Sequence, residues 1–184
     1  NAFETPEKYE DYANGMGRRA LQSYKKFGYI PLEDPVKEAF HKREQTARTL
    51  EYAFDDFVLA QVAKKLNKTA DYDSLIARSY NYQNVIDPKT SYANGRYESG
   101  EFYEETKPNF FAFYITEGAP CHYTWYVPHD PYGLMKSMGG KDMYIARLDT
   151  LFEEKYYWHG NEPCHQVAYL YNYVGQPWKT QKYT

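Results

Sequence analysis

Apolar residues recur with a helical period from Val36 to Leu66, at positions 36, 40, 47, 50, 54, 57, 58, 62 and 66. Pro35 stands just before that start, where proline suits the first turn of a helix. The run of 31 residues is long for a globular helix and predicts helices stacked side by side. A weaker helix is expected over Tyr9 to Phe27, with Leu21, Tyr24 and Phe27 on its stripe and Gly15 and Gly17 weakening its start. The connector GYIPLEDP ends it through Pro31 and Pro35. Asp71 to Ile86 reads as a further helix, with Tyr72, Leu75, Ile76, Ser79 and Tyr80 on one face.

A polar, turn-rich stretch runs from Asp87 to Lys107 and holds Asn94-Gly95 and Ser99-Gly100. Phe110 to Ile115 fits a short strand or the start of a buried helix equally well. Gly118 to Asp130 is dense in aromatics and irregular. Helices are then expected over Gly133 to Met138, over Lys141 to Tyr156 with Tyr144, Leu148, Leu151 and Phe152 as its stripe, and over Pro163 to Val174 with Gly175 as C-cap. There is no βαβ alternation and no strict repeat. The fold class predicted is mainly α, with long loops carrying the functional residues.

Composition narrows the function. With 22 Lys plus Arg against 25 Asp plus Glu, the net charge of -3 lacks the basic footprint of a nucleic-acid binder. The longest apolar run, Phe110 to Ile115, is far too short to span a membrane. The opening NAFETPEKYEDYANG has no apolar segment of the kind a signal peptide carries. Two cysteines, Cys121 and Cys164, make no disulfide scaffold. Tyrosine stands out, at 22 of 184 residues. Its apolar face and polar tip suit walls that are packed behind and wet in front, as in carbohydrate sites and also in many helical cores.

Two loops gather chemistry. ITEGAPCHYTWYVPHD, Ile115 to Asp130, sets Glu117, His122, His129 and Asp130 among Tyr114, Tyr123, Trp125 and Tyr126. A glutamate partly desolvated by rings holds its proton to higher pH, as a general acid must, and Trp125 or a neighbour could supply a face for a sugar ring. The plainer alternative is Glu117 as a solvated loop residue or N-cap partner, with the aromatics simply core. WHGNEPCH, Trp158 to His165, gathers His159, Asn161, Glu162 and His165 at a helix start, with Glu162 and His165 on one helical face. Its oxygen donors, Asn161 and Glu162, suit calcium better than zinc. Here the alternative is a capping cluster, in which Asn161 caps and Glu162 offsets the helix dipole. The adjacent Asp55 and Asp56 point about 100° apart on a helix and cannot share a proton. There is no phosphate-binding Gly-rich loop, serine nucleophile elbow or Cys-x-x-Cys.

Taken together, RTLEYAFDDFVLAQVAKKL (Arg48 to Leu66), TEGAPCHYTWYVPHD (Thr116 to Asp130), GLMKSMGGKDMYIARLDTLF (Gly133 to Phe152) and HGNEPCHQVAYLYNYVGQPWKTQ (His159 to Gln181) closely resemble glycoside hydrolase family 92. The resemblance covers nearly the whole chain in colinear order. It implies a calcium-dependent, inverting exo-α-mannosidase acting on N-glycans or mannans, periplasmic or secreted. It also implies a fold in which an N-terminal β-sandwich precedes an (α/α)6 barrel, of which residues 1–184 would be a middle portion.

By that resemblance Glu117 is the general acid. Asn161 and Glu162 are expected in a substrate or calcium site, His159 and His165 support them, and His122, Trp125, Tyr126, His129 and Asp130 shape the pocket. Three departures qualify it. Cys121 and His122 stand where the family commonly carries Trp-Gln. Asn161 precedes Glu162 at a position tied to linkage preference. The Gly-Asn-Asp-Asp segment that supplies the catalytic base would follow QPWKTQ, so the chain alone, without the remainder of its parent polypeptide, is expected to be inactive. The competing reading is a non-catalytic carbohydrate-binding or structural helical module, carried by the tyrosine and tryptophan content and by the missing base.

Overall fold

The computed structural model describes residues 17–37 and 43–184. The first part of the Tyr9–Phe27 helix and position 40 of the long stripe lie outside those residues. Among the described residues the chain is helical, with one two-stranded hairpin.

Helix α1 (Leu21–Phe27) ends at Gly28, whose left-handed backbone lets its N–H reach the Tyr24 carbonyl at 3.0 Å. Helix α2 (Gln45–Lys65) starts well after Val36. Val36, Arg43 and Glu44 all have positive φ, at 41°, 61° and 58°, which no right-handed helix tolerates. What caps α2 is a distant segment: Thr46 and Ala47 donate their N–H groups to the Tyr114 carbonyl at 3.1 and 3.2 Å. Phe110 to Ile115 is accordingly neither strand nor helix. Tyr114 and Ile115 are buried while Phe110 and Phe111 face out, and its carbonyls serve the orphan donors of α2.

The face that α2 buries also differs from the hydrophobic stripe. Val58, Val62 and Leu66 are exposed, whereas Ala53, Asp56, Ala60 and Ala63 face inward. Asp56 explains the rotation. It is fully buried between Arg18 at 2.8 Å and Arg78 at 3.0 Å, and Tyr24 donates its hydroxyl to it at 3.2 Å. Asp55 is part-exposed, 3.5 Å from Arg18.

Helix α3 (Thr69–Arg78) packs back along α2 through Ala60, Ala63 and Leu75. The expected Asp71–Ile86 helix breaks at Ser79, whose carbonyl is taken by His129 at 2.8 Å. A 3-10 turn follows at Asn81–Val85, then β1 (Ile86–Asp87) pairs antiparallel with β2 (Tyr92–Ala93), Ile86 opposite Ala93.

Beyond the hairpin come α4 (Pro120–Tyr123), α5 (Pro131–Ser137) and α6 (Lys141–Glu153). The expected Pro163–Val174 helix is instead two 3-10 segments, Glu162–Cys164 and Val167–Val174, capped by Gly175 at φ 74° as anticipated. The buried positions 168, 171 and 174, with 167 and 170, recur every three residues, which is the 3-10 period. A last helix, α7 (Pro177–Tyr183), was not expected; it opens with proline in its first turn. The main core holds Tyr82, Tyr114, Trp125, Tyr144 and Tyr171, so much of the tyrosine excess is packing material. No described helix is long and apolar enough to cross a membrane.

Candidate active site

Glu117 sits at the crest of the turn that leaves buried Ile115 and enters α4 at buried Ala119. Its residue is exposed, so the enclosure by aromatic rings expected from the sequence is not provided by the described residues. Below it the main chain is held closely. His122, at the third position of α4, reaches back so that its Nδ1 accepts the Ala119 N–H at 3.1 Å. Its Nε2 donates to the Tyr156 carbonyl at 2.7 Å, which fixes the tautomer. Both ring nitrogens of His122 are thus engaged within the protein. Gly118 fits under this ring because it lacks a side chain: a Cβ there would lie 2.9 Å from His122 Nδ1.

The second loop meets the first at Asn161. Asn161 is 1% exposed, and its Nδ2 donates to the backbone carbonyl of Glu117 at 3.3 Å. Its Oδ1 is buried with no hydrogen-bond partner among the described residues. The Tyr123 phenol lies within reach of the Asn161 amide, the Glu117 backbone and the Thr116 side chain, and burial raises its pKa above the ordinary tyrosine value.

Glu162 opens the following 3-10 turn and is exposed. His159 and His165 stack with ring centroids 4.6 Å apart; Tyr157 Oη lies 2.7 Å from His159 Nδ1, and His165 Nε2 donates to the His159 carbonyl at 3.0 Å. The two loops therefore bring Glu117, His122, Asn161 and Tyr123 together, with His159, Glu162 and His165 on the exposed edge beyond Asn161.

Other expected residues are placed elsewhere. Trp125 is 1% exposed, donates its indole N–H to the Cys121 carbonyl at 2.8 Å and meets Tyr144 edge-on. Its ring is committed to the core and offers no sugar face. Asp130 caps α5 through the Gly133 N–H at 2.9 Å and accepts from Tyr82 at 2.8 Å. His129 is wedged between Phe54, Phe57 and Tyr82, and burial lowers its pKa. Burial likewise pushes the Cys121 and Cys164 thiols up, to about 12 and about 11, so neither is a ready nucleophile.

Trp158 is an aromatic surface that the sequence pattern does not single out. It is half-exposed, its indole lies over Gly160, where a Cβ would come within 2.6 Å of Nε1, and its ring centroid is 6.5 Å from that of His122. The adjacent glycine in Trp-His-Gly was the available signal.

The calcium expected from the resemblance can be set against these donors. Calcium takes about six to eight oxygen ligands. Among the described residues no three His, Cys, Asp or Glu side chains converge, which leaves the Asn161 amide oxygen and the Glu162 carboxylate. The described residues do not make a calcium site by themselves.

The profile of the glycosyl hydrolase family 92 catalytic domain matches residues 1–184, the whole chain. The chain belongs to this family. Its fold superposes on a family 92 α-mannosidase of Bacteroides thetaiotaomicron with a TM-score of 0.80 and 41% identity, covering 97% of this chain and 25% of that one. A family 92 inverting mannosidase of the same organism gives a TM-score of 0.85 at 31% identity, covering 98% of this chain and 26% of that one. A protein of Arthroderma benhamiae described as an uncharacterized secreted glycosidase is 30% identical, over 88% of this chain and 24% of that protein. The chain thus spans about a quarter of the length of these family 92 relatives. The mainly helical fold is that of part of a family 92 domain, as the resemblance implied.

Proposed function

We propose that this chain is the acid-bearing portion of a family 92 glycoside hydrolase that removes terminal α-linked mannose from N-glycans or mannans. The observation that carries the reading is the placement of Glu117: an exposed residue on a turn whose backbone is tied to the HGNEP loop through Asn161. Glu117 would give its proton to the glycosidic oxygen as the bond to the anomeric carbon breaks. A water on the opposite face would attack that carbon and lose its proton to a carboxylate outside the described residues. For inversion the two carboxyl groups stand roughly 6.5–9.5 Å apart, leaving room for the water. Trp158, half-exposed at the rim, would offer the ring face that Trp125 does not.

The relative solved with mannoimidazole bound, also from Bacteroides thetaiotaomicron, supports a mannose-type substrate. In the parent protein we place the β-sandwich and the base-bearing segment outside these residues. We assign the parent to the periplasm or the exterior, a reading supported by the secreted fungal relative. Calcium would belong to that parent, with most of its oxygen donors supplied from outside this chain.

The test is proton NMR of the parent enzyme acting on an α-linked mannobiose. The reading predicts β-mannose as the first-formed product. α-Mannose as the first product would refute inversion, and absence of hydrolysis would favour a binding module.

A further inference from the structure

We propose that Asn161, assisted by Tyr123, is a positioning residue for the acid: it holds the main chain at Glu117 and does not itself touch the glycan. The inference rests on the reading of Glu117 as the general acid. Asn161 is 1% exposed, so its amide is covered by protein and not presented to a ligand in solution. Its orientation is dictated by what it meets. The Glu117 carbonyl can only accept, so the amide must turn its Nδ2 toward it, at 3.3 Å, and a flipped amide would set two oxygens against each other. The same choice leaves Oδ1 buried without a partner among the described residues. A buried amide kept half-satisfied is costly, and what the arrangement secures is the bond to Glu117.

The acid turn is pinned from both sides. On one side the Ile115 N–H donates to the Ala112 carbonyl at 2.9 Å. On the other the Ala119 N–H is held by His122. Between these points Asn161 grips the Glu117 carbonyl, and the Tyr123 phenol lies against the same backbone and against Asn161. The point from which the Glu117 side chain reaches out is set by the backbone beneath it. A general acid must come within hydrogen-bond distance of the leaving oxygen. A misplacement of about 1 Å can cost on the order of 100-fold.

Leaving-group dependence separates this role from a structural or ligand-binding one. A dinitrophenolate departs without a proton, whereas a sugar alkoxide needs one. In the full-length parent enzyme, N161A should lower kcat on an α-mannobiose by about 10–100-fold. The same variant should lose less than about threefold on 2,4-dinitrophenyl α-mannoside, with KM for both near the wild-type value. Y123F should show the same selectivity at smaller amplitude, and it carries the test should circular dichroism show N161A unfolded. Equal losses on both substrates, a loss confined to KM, or no loss in either variant would overturn the inference. E117Q run alongside keeps the two claims apart. If E117Q leaves mannobiose hydrolysis intact, the acid assignment fails. If E117Q shows the leaving-group selectivity and the other two variants do not, the positioning role alone fails.

Discussion

His129 shows at the scale of one side chain how burial turns into pH dependence. Its Nε2 donates to the Ser79 carbonyl, its Nδ1 is buried without a partner among the described residues, and burial holds its pKa below the ordinary 6.5. The folded state therefore binds this proton more weakly than the unfolded state does. The contribution of the neutral ring is complete above 6.5 and is lost as the pH falls from 6.5 toward the depressed folded value. H129Q keeps an amide donor for Ser79 without titrating. In the parent protein its melting temperature should fall less steeply than wild type on acidification below 6.5; parallel slopes would contradict this. The same scale marks what the sequence could show of the site. TEG and HGNEP named Glu117 and Asn161 through the motif. Which tryptophan faces out was not readable, because Trp125 and Trp158 sit in equally aromatic strings and only packing buries the first and leaves the second half-exposed.

At the scale of elements, the long helix illustrates why periodicity was only partly informative. Counting apolar positions put Val58 and Val62 inside, but the real inward face is organised by Asp56, which gathers Arg18 and Tyr24 from one stretch of chain and Arg78 from another. A buried charge with matched partners is invisible to a hydrophobicity count. Its start was misplaced for a related reason, since the cap comes from Tyr114, far along the chain. Replacing Asp56 would take from two largely buried guanidinium groups the carboxylate that joins them. D56N should therefore destabilise this region by about 3–5 kcal/mol, read from denaturant unfolding of the parent followed by tryptophan fluorescence. A change under about 1 kcal/mol would show the network to be dispensable.

At the scale of the whole molecule, the mainly helical class and the family membership were legible from colinear motifs. The partition of secondary structure was less so, because the 3-10 run Val167–Val174 has a burial period that can pass for an α-helical one over so short a stretch. Exposed Val58, Val62, Tyr132, Tyr169 and Trp178 are apolar surface on a chain that spans about a quarter of its family 92 relatives. The same proportion bears on calcium, for which the described residues supply too few donors. EDTA should abolish mannose release by the parent enzyme and added calcium should restore it; activity undiminished in EDTA would remove the ion from the account.

The central claim is that Glu117 delivers the proton to the leaving sugar. Turnover of an unactivated α-mannobiose by the parent enzyme carrying E117Q tests it most directly. The account predicts a fall in kcat of at least about 100-fold with the fold intact. A rate within about twofold of wild type would contradict it.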